Sequence, residues 1–180
     1  MTIDKTRPIR LLHIASGDLW AGAEVQLFTL AKALKNNTNT IVEIILLNHG
    51  ILEEKLLSSG FNVIVLDETK LNSLIILWKI IRIIRKIEPD VIHTHRIKEN
   101  ILGCLAARLT GNIPTLRTSH GASEHTPSRR NLPKHIIRWL NFICGRYLQR
   151  AIIAVSEDLA EKLKTDFPSK KIHVIEYQFA

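Results

Sequence analysis

The feature that most restricts this chain is an alternation. Short, nearly unbroken apolar runs are separated by stretches in which apolar residues recur at every third or fourth position. The runs Arg10–Ala15, Thr40–Leu47, Asn62–Leu66, Asp90–His95, Pro114–Ser119, Ala151–Val155 and Lys171–Ile175 read as buried strands. Between the first two, Val25, Leu27, Phe28, Leu30, Ala31 and Leu34 mark a helix that Asn36-Asn37 stops. Leu52–Ser59, closed by Gly60, and Leu71–Ile87, ended by Glu88-Pro89, read as the next two helices. Ile97–Leu109, Asn131–Gln149 and a segment from the N-cap Ser156 to about Asp166 complete the set. Strands that are apolar throughout need cover on both faces. The pattern therefore predicts an α/β fold, a doubly wound parallel sheet of about seven strands with helices on both sides.

Length and composition limit what else the chain can be. With 180 residues, 46% of them hydrophobic, it can bury one real core, so residues 9–180 are expected to form one domain after a short tail, residues 1–8. The polar start resembles no secretory signal, which points to a cytoplasmic protein. Leu71–Ile87 carries Lys79, Arg82, Arg85 and Lys86 and falls short of the roughly 20 apolar residues that span a bilayer. Cys104 and Cys144 are far apart and lack a CxxC partner, so they read as reduced, buried side chains and not as a zinc ribbon, redox pair or disulfide framework. The net charge of +8 calls for an anionic partner, be it a nucleotide diphosphate, a lipid headgroup or nucleic acid. Between His125 and Ser156 the chain has Arg129, Arg130, Lys134, Arg138, Arg146 and Arg150 and no acid. Leu132, Ile136, Ile137, Leu140, Ile143, Tyr147 and Leu148 form an apolar stripe there. Such a basic amphipathic helix either packs on its own sheet or lies on anionic lipid. Stacking aromatics do not interleave with the cations, so no nucleic-acid partner is expected.

Ligands of open parallel sheets collect at the carboxyl ends of the strands, which directs attention to three places. The first is Ser16–Glu24, a loop that opens a helix, where free backbone N–H groups and the helix dipole suit a phosphate. Gly22 there either leaves room for a ligand or merely starts the helix. The segment is neither a GxGxxG fingerprint nor a P-loop, and Leu46-Leu47-Asn48 lacks the acid that would hold an adenosine ribose, which weakens a nicotinamide reading. The second place is His93-Thr94-His95-Arg96. The two histidines share one face of a strand, and Arg96 stands at the lip. His-x-His can chelate zinc, but no carboxylate or cysteine stands at a telling spacing, so no metal is assigned; a hydrogen-bonded core role for His93 is the other reading. The third place is Ser119-His120-Gly121, where Gly121 lets the chain turn and leaves His120 facing the cleft, able to bond a sugar hydroxyl or steady developing charge.

Taken together, Ala21-Gly22-Ala23-Glu24, Pro89-Asp90-Val91-Ile92-His93-Thr94-His95, Thr118-Ser119-His120-Gly121 and Ala154-Val155-Ser156-Glu157 fall in an order that resembles glycosyltransferase family 4, of GT-B architecture. The likeness runs from about Ile9 to Ile175. It implies a Rossmann-like N-terminal, acceptor-side domain of an enzyme that retains anomeric configuration while moving a sugar from a nucleotide-diphosphate donor to a glycan or lipid-linked acceptor. By that resemblance Gly22 offers backbone N–H groups to the donor phosphates, Glu24 opens the helix, and His120 sits beside the transferred sugar as the catalytic residue. Ala21, His95, Arg96 and Gly121 complete the expected donor and substrate contacts. Catalysis is expected to be electrostatic, without metal or cofactor.

Two departures from the family pattern stand out. Ala21 replaces the first glycine of a usual pair, which narrows the approach of a phosphate but leaves Gly22 available. The chain also reads Ile175-Glu176-Tyr177-Gln178-Phe179-Ala180 where a turn into a second, donor-binding domain is expected. The reading is thus of a truncation, an expressed fragment or half of a split enzyme, with little or no transfer activity alone. A peripheral contact with the cytoplasmic face of a membrane through Arg129–Arg150 would suit a lipid-linked acceptor of polysaccharide biosynthesis. The rival reading is a non-catalytic module that binds a glycan, a lipid or a partner protein through the same cleft.

Overall fold

The computed structural model describes residues 7–18, 20–36, 39–121 and 132–176. Seven parallel strands form one sheet in the order β3-β2-β1-β4-β5-β6-β7, with β1 Ile9–Ala15, β2 Thr40–Leu46, β3 Val63–Val65, β4 Val91–Thr94, β5 Thr115–Ser119, β6 Ala151–Ala154 and β7 Ile172–Val174. The chain builds outward from β1 to β3, crosses back through a helix to β4, and builds outward again to β7. The order therefore reverses between β1 and β4, which makes their carboxyl ends the switch point of the sheet. Register there is fixed by the pairs Leu11↔Val91, Leu12↔Ile92, His13↔His93 and Ile14↔Thr94.

The helices are α1 Gly22–Lys35, α2 Ile51–Ser58, α3 Ser73–Ile87, α4 Ile97–Leu109, α5 Leu132–Ile143 and α6 Glu157–Lys164. Local signals place their ends. Asn72 caps α3 by accepting from the Ile75 amide at 3.0 Å, and Glu88 takes a left-handed conformation (φ 51°) that stops it before Pro89. Ser156 accepts from the Leu159 amide at 3.3 Å to cap α6. Gly60, at φ +72°, makes the turn after α2 that a side chain would strain. β2 to β7 are shorter by a residue or two than their apolar runs, because ladder bonding ends before the apolar burial does, while β1 begins one residue earlier, at Ile9. The expected Asn131–Gln149 helix is α-helical only to Ile143 and continues as a π-helical turn over Cys144–Leu148; Asn131 lies outside the described residues.

Each face of the sheet has its own core. Ala15, Ile44 and Leu46 meet Leu27, Ala31, Leu52 and Leu56 of α1 and α2. Leu12, Ile14, Ile45 and Ile92 meet Ile76, Ile80 and Ile84 of α3 together with Leu102 and Ala106 of α4. Period-two alternation puts His13 on the α1 side with Ala15. A polar knot ties β5 to α4 and α5: the fully buried Arg117 donates to Asn141 Oδ1 at 2.6 Å, and Asn100 Nδ2 donates to the same oxygen at 2.8 Å. Cys104 and Cys144 are both free and buried in one cluster. Their separation in sequence concealed this proximity, which the packing of α4 against the end of α5 creates. No described helix is long and apolar enough to cross a membrane.

Candidate functional site at the sheet switch point

The site begins with a helix end that lacks a cap. Ala21 occupies the N-cap position of α1, where its methyl group cannot accept a hydrogen bond, and the amides of Gly22, Ala23 and Glu24 find no acceptor among the described residues. These are the orphan donors that every helix start must satisfy somewhere. Glu24 turns back instead to accept from the Ala21 amide at 3.2 Å. A Cβ built on Gly22 would meet nothing within 4 Å, and Gly22 has no positive φ, so neither packing nor backbone strain requires glycine here.

Glu24 joins this helix end to the β4 loop. Its carboxylate is 3% exposed and accepts from Arg96 Nη2 at 2.5 Å, while Arg96 Nη1 reaches Asp18 Oδ1 at 3.3 Å. Ala15, Ser16, Ala23, Leu27 and His95 close around this bridge and leave no room for a water between the two loops among the described residues. Beneath it, Ser16 Oγ donates to the buried Glu99 in the first turn of α4, and burial raises the Glu99 carboxyl above its ordinary pKa.

Histidines continue the site along the sheet. His13 faces His93 across the β1–β4 ladder, with ring centroids 5.0 Å apart, and His93 and His95 follow on one face at 4.4 Å. His13 Nδ1 lies 3.3 Å from His95 Nε2, and His95 Nδ1 lies 3.4 Å from His120 Nε2. His93 Nε2 is 2.8 Å from Thr118 Oγ1. Desolvation lowers the pKa of all four: His13 and His120 to about 4, and His93 and His95 well below the ordinary value with help from neighbouring imidazoles. They are neutral at physiological pH. Only His120 of the four retains appreciable exposure.

The residues singled out in the sequence thus form a connected line from Ala21 and Gly22 through Glu24 and Arg96 to His95, His120 and Gly121. His125, Arg129 and Arg130 lie outside the described residues. Arg96, expected among the donor and substrate contacts, bonds the carboxylates of Glu24 and Asp18. His93 has the hydrogen-bonded, buried position of the core reading. His13 and Glu99 carried no signal of their own, and the partners of Ser16 and Thr118, which stood within the quoted segments, could not be read, because both depend on strand pairing. His13, His93 and His95 each offer a ring nitrogen within 4.8 Å of the others, so the third imidazole that the His-x-His spacing lacked comes from β1.

A separate cavity of about 560 Å³ opens at the amino ends of β5 to β7, bordered by Cys104, Arg108, Thr115, Arg150 and Lys171. Lys171 there is committed to structure, donating to the carbonyls of Gly145 (3.3 Å) and Arg146 (2.7 Å). The ligand end of a parallel sheet is the opposite one.

Comparison with known proteins bears on the family and the fold. The family model described as Glycosyltransferase Family 4 matches residues 20–176. A curated relative, the UDP-Gal:alpha-D-GlcNAc-diphosphoundecaprenol alpha-1,3-galactosyltransferase of Escherichia coli, is 34% identical over 88 residues, which are 49% of this chain and 22% of that protein. Among solved structures, Anabaena Alr3699/HepE in complex with UDP superposes with a TM-score of 0.76 at 18% identity, covering 95% of this chain and 44% of that one. The UDP-GlcNAc 2-epimerase of Neisseria meningitidis bound to UDP-GlcNAc gives 0.65 at 16% identity, covering 92% and 45%. At these identities the superpositions show a shared fold. The chain spans less than half the length of each of these three proteins.

Proposed function

Because this chain belongs to Glycosyltransferase Family 4, we propose that it is the acceptor-side, Rossmann-like domain of a retaining transferase that moves a sugar from a nucleotide-diphosphate donor to a glycan or lipid-linked acceptor. In this reading a second domain holds most of the donor, and the 180-residue chain alone transfers little or nothing. The observation that carries the proposal is the uncapped start of α1. Three adjacent amides without acceptors, at the positive end of a helix and with no Cβ on Gly22, suit the oxygens of a diphosphate. His120, connected to this helix end through His95 and Arg96, is the residue assigned to the transferred sugar. The work asked of the site is electrostatic, the stabilisation of a departing diphosphate by preorganised donors. UDP is the nucleotide to test first, since it is bound in HepE and the E. coli relative is named for a UDP-sugar.

The membrane contact belongs to the same reading. On α5, Ile136, Ile137 and Trp139 are exposed beside Arg138, while Leu140 packs inward with Leu148. An apolar edge next to cations suits an anionic lipid surface, where a lipid-linked acceptor would be presented.

Amide NMR of the labelled chain during titration with UDP tests the donor site. Shifts centred on Gly22, Ala23 and Glu24 are expected, and their absence at millimolar UDP would remove the donor reading. Mixing the chain with a separately produced donor-binding half and assaying sugar transfer tests the enzyme class. Glycan or lipid binding without transfer in that mixture would favour the non-catalytic module instead.

A further inference from the structure

Three of the imidazoles form a chain: His13 Nδ1 to His95 Nε2 at 3.3 Å, and His95 Nδ1 to His120 Nε2 at 3.4 Å. A neutral imidazole carries one proton on two ring nitrogens, so such a chain has only two self-consistent states. In one, protons lie on Nδ1 throughout; His13 donates to His95, His95 donates to His120, and the proton of His120 points away from the chain. In the other every bond is reversed, and His120 presents a bare lone pair. The states differ at the inner end, where His13 Nε2 is buried and has no hydrogen-bond partner. The first state leaves an acceptor unmet there, and the second leaves an N–H unmet. Among buried backbone groups an N–H without an acceptor is rarer than an acceptor left unmet, and the same preference favours the first state.

We propose that His13 and His95 are positioning residues that hold His120 as the neutral Nδ1–H tautomer, a hydrogen-bond donor toward the ligand. The group it selects is an acceptor, a sugar hydroxyl or phosphate oxygen. Nδ1 of His120 has no partner among the described residues, and His120 is the member of the chain nearest solvent. Burial of the set keeps protonation from breaking the chain at neutral pH. The competing use of these rings is zinc, since His13, His93 and His95 come within 4.8 Å of one another. That group holds no carboxylate or thiolate to offset a divalent charge, and its rings are almost wholly buried. The neutral relay therefore accounts better for it.

The tautomer is read by long-range ¹H–¹⁵N correlation of ring nitrogens in the ¹⁵N-histidine-labelled 180-residue chain. His120 is expected with a protonated Nδ1 and a bare Nε2, the Nδ1–H form being the majority species. His13→Leu, which removes the donor to His95 without touching His120, should bring the two His120 tautomers toward equal populations. A protonated Nε2 on His120 in the unsubstituted chain overturns the proposal, even should the variant fail to fold. So does an unchanged His120 tautomer in folded His13→Leu, or stoichiometric uptake of added zinc chloride with changes at His13, His93 and His95. The ligand-facing role rests on the donor-site reading above, but the tautomer does not. Failure of UDP to bind would leave the tautomer measurement standing, and a wrong tautomer would sink the relay whether or not UDP binds.

Discussion

Arg96 and Glu24 meet at 2.5 Å across the mouth of the switch-point crevice, joining the start of α4 to the first turn of α1. The carboxylate is buried, the guanidinium is about one third exposed, and Arg96 also reaches Asp18. The pair thus fixes the spacing of the two loops at the switch point.

Removing one partner should cost more than the pair contributes, because it leaves a buried charge unmatched. Arg96→Ala is expected to lower unfolding free energy by about 2 kcal/mol, below the full penalty of a deeply buried pair because water reaches the arginine. Glu24→Gln, which keeps an acceptor for the Ala21 amide, should cost roughly half as much. Urea denaturation of both variants checks the order; a milder loss for Arg96→Ala would contradict it.

Gly22 separates stability from binding. Since a Cβ there meets nothing, Gly22→Ala should leave stability within about 1 kcal/mol of the parent chain or raise it slightly, alanine being the better helix former. Gly22→Val should likewise fold but place a branched side chain in the path of a phosphate, weakening UDP binding about tenfold in a calorimetric or NMR titration. Unchanged UDP affinity in Gly22→Val would leave the glycine without a ligand role.

The histidines make stability depend on pH at values where carboxylates are still ionised. The folded pKa of His13 is lowered to about 4 from 6.5. Between these values the unfolded chain binds the proton and the folded one does not. Stability is therefore whole above 6.5 and is lost as pH falls toward 4, by about 3 kcal/mol at most for His13. His93, His95 and His120 act in the same direction. Glu99 opposes them, since its raised pKa favours the folded state at low pH and this advantage fades as pH rises. The net expectation is a falling denaturation midpoint from pH 7 to pH 4.5. His13→Leu should flatten that slope, and an equal slope in both chains would exclude His13 as a cause.

Trp139 reports on the lipid contact. It is 59% exposed beside Ile136, Ile137 and Arg138. Binding to vesicles rich in phosphatidylglycerol should weaken severalfold in Trp139→Ala and with added salt, while stability changes by less than about 1 kcal/mol, as for exposed positions generally. Equal affinity for neutral and anionic vesicles would rule out the electrostatic part.

The sequence by itself determined the elements and their class. Apolar periodicity, the Asn72 and Ser156 caps and the stops at Gly60 and Glu88-Pro89 act over a few residues, so the elements were readable within a residue or two, except the carboxyl end of α5, where a π-helical turn replaces the last α-helical residues. The parallel arrangement followed because strands such as Thr40–Leu46 have no polar face to turn toward water. The family motifs at the carboxyl ends of β1, β4 and β5 were readable for the same local reason.

Only the tertiary structure decided which strands are neighbours, and the inner half of the site depends on that. Pairing of β1 with β4 sets His13 against His93, and pairing of β4 with β5 brings His120 to His95 and Thr118 to His93. The Arg96–Glu24 bridge, the Ser16–Glu99 contact and the meeting of Cys104 with Cys144 are products of the same long-range assembly. A hydrogen bond or an imidazole contact acts over a few ångströms of space and is indifferent to the number of residues between its partners. Local pattern therefore names the candidates, and strand order and register determine which of them touch.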